Sequence, residues 1–153
     1  MLLALTLALT GCGGTAPTGN GTDEGAGGAP ATSLAPEAVG EVRVLAAASL
    51  REAFDLIKED FQAWNPSVQV LLSYAPGAEL APRLAGGEAA DVVATDAPDG
   101  VDGITVNGQP ESFGGGRFTV AALNDSANAT IFVGHLREGS AQRVLTDTGI
   151  LRP

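Results

Sequence analysis

Cysteine is almost missing from this chain, with one in 153 residues, and histidine and tryptophan also occur once each. An intrachain disulfide is therefore excluded, and so is a zinc site, for which no Cys or His pairs at ligand spacing exist. Positive charge is scarce as well. Eight Lys and Arg stand singly against 18 Asp and Glu, for a formal charge of −10, so there is no basic patch to hold nucleic acid or anionic lipid. That balance still allows an oxyanion ligand, because neutral amides and hydroxyls at helix starts can hold one; only long-range attraction is lost.

Enzyme signatures are missing too. The chain has no Gly-x-Ser-x-Gly elbow and no phosphate loop. A serine nucleophile at Ser49 would need a base, and the sole imidazole, His135, is 86 positions away with no third group evident. No enzymatic activity and no cofactor are expected, and His135 reads as a surface or packing residue. Asp91, Asp96, Asp99 and Asp102 make one acidic stretch, but they lack the spacing and terminal Glu of a calcium loop. They read as turn formers and solvated charge.

Long hydrophobic runs are absent except at the start, where MLLALTLALTGC is apolar but too short to span a bilayer. Residues 13–41 are Gly, Ala, Pro and Thr with almost no large apolar side chain. Such a composition cannot build a core and reads as a disordered tether. Residues 42–153 remain as one domain, long enough for a modest core without disulfides.

The richest stretch is VRVLAAASLREAFDLIKEDFQAW, residues 42–64. A Val- and Ala-rich run stops at Ser49, and apolar residues then recur at helical spacing: Leu50, Ala53, Phe54, Ile57, Phe61 and Trp64. The pattern predicts a buried strand over 42–48 feeding a helix over 50–64, ended by Asn65-Pro66. Ser49 is then the expected N-cap. With Glu52 three residues on it also makes a capping-box pattern, a purely structural alternative to anion binding at the same helix start. Further expectations are strands at 68–74, 91–95 and 117–123 and a short one at 103–106. Helices are expected at about 78–85, 127–137 and 140–147. Strands alternating with helices predict a three-layer αβα domain with a mostly parallel sheet.

Two blocks of residues carry a family resemblance. Val44-Leu45-Ala46-Ala47-Ala48-Ser49-Leu50 followed by Glu52-Ala53-Phe54 resembles the opening of the molybdate-binding proteins of ABC importers, and residues 132–153, FVGHLREGSAQRVLTDTGILRP, resemble that family's closing segment. The resemblance implies one lobe of a type II periplasmic-binding fold and a non-enzymatic carrier of molybdate, tungstate or sulfate that serves an ABC permease and its ATPase. Leu9-Thr10-Gly11-Cys12 likewise resembles a bacterial lipobox, implying a signal peptide over 1–12, acylation of Cys12 and a lipid anchor on the extracytoplasmic face of the membrane. No Lys or Arg precedes Cys12, so the positive part of such a signal would lie upstream.

Members of that family have two lobes that close on the anion, and this chain has room for one. Its opening and closing segments join near residues 93–95, and Thr95-Asp96-Ala97 resembles the hydroxyl-Asp-Ala where the family's chain crosses back. What carries over is the first-lobe half of the site. Ser49 would donate its hydroxyl beside the Leu50 and Arg51 amides. Gly77, followed by Ala78, stands where the family commonly has a hydroxyl and can offer only an amide. Val93 falls where a second-lobe tyrosine would be. A hydrogen bond to a charged ligand contributes roughly 1.5–3 kcal/mol, whereas micromolar affinity needs about 8 kcal/mol. A lone lobe is thus expected to bind at about the millimolar level unless a homodimer supplies the other half. The alternative is a lipoprotein that carries no solute and acts as an interaction module or survives as a decayed copy.

Overall fold

The computed structural model describes residues 39–97 and 100–151. The expected signal peptide, Cys12 and nearly all of the tether lie outside the described residues, as does Asp99.

The predicted strand becomes β1, Gly40–Ala47, and it starts inside the expected tether. Sheet pairing rather than hydropathy decides that boundary: Gly40 and Glu41 pair with Val68 and Gln69, and the Gly40 amide donates to the Ser67 carbonyl at 2.9 Å. After a 3-10 turn at Ala48–Leu50 come α1, Arg51–Trp64, and β2, Val68–Ala75. Next are α2, Gly77–Ala85, and β3, Val92–Thr95. A hairpin of β4, Glu111–Phe113, and β5, Phe118–Ala122, precedes α3, Ala127–His135, and α4, Gly139–Asp147.

The five strands form one sheet in the order β2-β1-β3-β5-β4. β1 pairs in parallel with β2 and β3, while β5 runs antiparallel to both β3 and β4. Four strands therefore share one direction, and the expected α/β class with a mostly parallel sheet is what the chain adopts. Because β2 and β3 flank β1, the right-handed crossovers through α1 and α2 leave in opposite directions and cover opposite faces. That makes three layers.

The expected strand at 103–106 does not form. Gly103 and Gly108 take φ of +76° and +84°, and the Ile104 amide closes a turn onto Val101. Ile104 and Val106 pack partly buried against the core, which gives the segment its strand-like alternation without a ladder. The short partner of β5 is β4 instead, and Gly114-Gly115-Gly116 between them all have positive φ, a conformation that favours glycine.

The main core lies between the sheet and α1. Ala53, Phe54, Ile57 and Phe61 are buried as the helical spacing predicts. Phe54 meets Phe118 of β5 edge-on at 5.8 Å, and Phe61 meets Phe132 of α3 at 5.1 Å, so α3 shares the face of α1. Trp64 breaks the expected stripe. It is 75% exposed, because α1 ends there, with the Asn65 amide and side chain both donating to the Phe61 carbonyl.

The strand order has one consequence for function. Successive crossovers part at β1, so the carboxyl ends of β1 and β3 flank a crevice at the topological switch point, where open α/β sheets bind ligands.

Candidate functional site

Three strand ends converge on this crevice. β1 delivers Ser49 in its 3-10 turn, β2 delivers Pro76 and the start of α2, and β3 delivers Asp96 and Ala97. Ser49 and Asp96 are both exposed, and the Ser49 hydroxyl donates to Asp96 Oδ2 at 2.5 Å. It is a short bond, as hydroxyl–carboxylate bonds are.

Ser49 is therefore not the expected N-cap. The 3-10 turn pushes the start of α1 to Arg51 and leaves Ala47 and Leu50 at the two cap positions, neither with a side-chain cap bond. The capping box with Glu52 is not made. The same turn closes the Arg51 amide onto the Ala48 carbonyl, which removes one of the expected donors. Leu50 buries its side chain in the core, so only its backbone can face the crevice.

Across the crevice, α2 also begins without a side-chain cap. The Glu79 amide bonds the Pro76 carbonyl at 2.8 Å, leaving the Gly77 and Ala78 amides as first-turn donors with no intrahelical partner. A Cβ built on Gly77 would stand 3.1 Å from Asp96 Oδ1 and 3.8 Å from Thr95 Oγ1. The Asp96 carboxylate thus lies between Ser49 and the start of α2.

Thr95 fixes the root of Asp96. It is fully buried, and its hydroxyl oxygen accepts the Ala97 amide at 3.0 Å. Gly100 presses against it so closely that an added Cβ would sit 2.1 Å from Thr95 Oγ1.

Reading the acidic stretch as uniform solvated charge missed this. Asp96 joins the crevice, while Asp91 at the other end of β3 is a structural hub that accepts the Arg43 amide at 2.8 Å and the Asn124 side-chain amide at 2.7 Å. The signal for Asp96 lay in topology, since it follows the strand that neighbours the one leading to Ser49. Among the described residues, no three His, Cys, Asp or Glu gather as a metal set.

Two further groups lie away from the Ser49–Asp96 pair. Tyr74 on β2 lies under the Arg51 guanidinium, 4.3 Å from its ring centre, and donates to Asp55 Oδ1 at 2.7 Å. Burial, helped by the bond to Asp55, raises the Tyr74 phenol well above its ordinary range. His135 is buried against Phe61 with Nε2 3.0 Å from Asp60 Oδ2, a packing role as expected.

The sequence profile of a family described as bacterial extracellular solute-binding protein matches residues 42–121. The molybdate-binding proteins ModA of Mycobacterium bovis and of Mycobacterium tuberculosis are 36% identical to this chain over 99 residues. Each match covers 61% of this chain and 38% of the relative, so the chain spans well under half the length of these curated relatives. A solved substrate-binding domain assigned to a molybdenum ABC transporter of Clostridium difficile superposes with a TM-score of 0.40 at 23% identity, over 44% of this chain and 31% of that one.

Proposed function

The chain belongs to the bacterial extracellular solute-binding proteins, and on that premise we propose that it is the substrate-binding component of an ABC importer for molybdate or a related oxyanion. The observation that carries the reading is that the crevice already cradles an anion, the Asp96 carboxylate, between Ser49 and the start of α2. A tetrahedral oxyanion there would take the Ser49 hydroxyl and the Gly77 and Ala78 amides, with the Leu50 backbone at the rim. Likeness to the mycobacterial molybdate-binding proteins supports molybdate as the ligand. Tungstate and sulfate share its shape and charge. Acylated Cys12 would hold the protein on the extracytoplasmic face of the membrane, and an ABC permease with its ATPase would receive the ion.

Contacts from one lobe leave the ion half hydrated, and each hydrogen bond to it contributes only roughly 1.5–3 kcal/mol. A homodimer that places a second copy over the crevice would close it. Calorimetric titration of the full chain with molybdate tests the reading, with sulfate as control and Ser49→Ala as the matched variant. Saturable molybdate binding that weakens in the variant supports it; no heat up to millimolar molybdate from the folded chain, with a folded Asp96→Ala variant equally silent, overturns it. The second reading, an interaction module that carries no solute, is favoured by Asp96 taking the donor that a ligand would need.

A further inference from the structure

We infer that the Asp96 carboxylate is a built-in occupant of the crevice, held by the Ser49 hydroxyl, and that an oxyanion enters only by displacing it. The inference rests on the oxyanion reading of the crevice and adds an internal competitor to it.

A serine hydroxyl has one proton to donate. Here Asp96 Oδ2 takes it at 2.5 Å, while Oδ1 lies 3.1 Å from where a Gly77 side chain would begin. The carboxylate therefore sits between the two elements that an oxyanion would have to bridge. It competes twice, by taking the donor and by setting a negative charge against an incoming dianion.

Its position is built in rather than incidental. Thr95 is buried and bonded to the Ala97 amide, and Gly100 packs against it with no room for a methyl group. The backbone beneath Asp96 is thereby fixed, whereas its side chain is exposed and held by the Ser49 hydroxyl. A rooted backbone with an exposed carboxylate is a plug that a ligand can push aside.

Two measurements on the full chain test this. The first needs no ligand: urea unfolding of wild type, Ser49→Ala, Asp96→Ala and the double variant, read as a double-mutant cycle. The bond predicts a coupling of about threefold or more in the unfolding equilibrium constant, and additive effects would overturn the inference whatever the anion does. The second is molybdate titration of the same four proteins. Asp96→Ala should tighten binding about tenfold or more, the scale of one freed charge-assisted hydrogen bond, and adding Ser49→Ala should abolish the gain. Asp96→Asn, which keeps an acceptor but loses the charge, should fall between wild type and Asp96→Ala. If wild type binds molybdate and Asp96→Ala binds no more tightly, displacement is overturned while the oxyanion reading survives. If coupling is present and no variant binds, the oxyanion reading falls together with displacement, and only the Ser49–Asp96 bond remains.

Discussion

Replacing Asp91 by asparagine, nearly identical in shape, should destabilise the protein almost as much as replacing it by alanine. The carboxylate accepts the Arg43 amide at 2.8 Å and the Asn124 side-chain amide at 2.7 Å, tying the start of β3 to β1 and to the turn after β5. Both partners are donors. An asparagine has one oxygen and must aim its own NH₂ at one of them, donor against donor. Flipping Asn124 does not help, because its oxygen already accepts the Ser126 amide at 3.0 Å and the conflict would move there.

A hydrogen bond to a charged group contributes roughly 1.5–3 kcal/mol. The bond from Arg43 is exposed and is discounted to about 1 kcal/mol, while the partly buried one from Asn124 keeps about 1.5 kcal/mol. Asp91→Ala should therefore cost about 2.5 kcal/mol and Asp91→Asn about 2 kcal/mol, or about 10 °C in melting temperature for a domain of this size. Urea unfolding of the full chain followed by far-UV circular dichroism measures both, with an unchanged slope as the sign that only stability has moved. An asparagine variant within about 0.5 kcal/mol of wild type, beside a damaged alanine variant, would refute the donor argument. Asp91 and Asp96 flank a four-residue strand and lie about 16 Å apart, so neither change at 91 should alter anion titration.

Tyr74 is the single tyrosine, so absorbance at alkaline pH reports on it alone. Its phenolate should appear well above pH 10, the ordinary midpoint, and return to that midpoint in urea. The neutral phenol is the form the fold favours, so its contribution to stability is complete below about pH 10 and is lost as pH rises beyond it. Gly100→Ala should cost about 2–3 kcal/mol, because its methyl group would lie 2.1 Å from the hydroxyl oxygen of buried Thr95; an unchanged urea midpoint would refute that packing. Gly134→Ala in the last turn of α3, with nothing within 4 Å of the new methyl group, should raise stability by about 0.5 kcal/mol in the same assay. Trp64, 75% exposed, should be quenched by acrylamide in the native state nearly as strongly as in urea, and strong native protection would show that α1 continues or packs beyond residue 64.

Much of the fold was legible because it is set locally. The α1 stripe from Ala53 to Phe61, the Ala47-to-Ser49 strand end and the break at Asn65-Pro66 all follow from neighbours in sequence. Trp64 escaped because periodicity does not show where the covering sheet stops. The 103–106 segment escaped because Ile104 and Val106 alternate like a strand, yet the β5 edge is taken by Glu111–Phe113.

The site divides along the same line. Ser49 could be named from the strand-to-helix transition that carries it and Gly77 from the family resemblance, but the partner of Ser49 lies 47 positions away and meets it only because β3 pairs with β1. Counting charges along the chain put Asp91 and Asp96 into one acidic stretch. Folding separates them by the length of β3, making one a clasp at the amino ends of the strands and the other an anion lodged at the carboxyl ends. The distinction follows from strand direction: in a parallel sheet, residues just after a strand face the crevice and residues just before it face away. An acidic residue immediately after a parallel strand at the switch point is thus a candidate occupant of the crevice, and by that rule Asp96 qualifies while Asp91 does not.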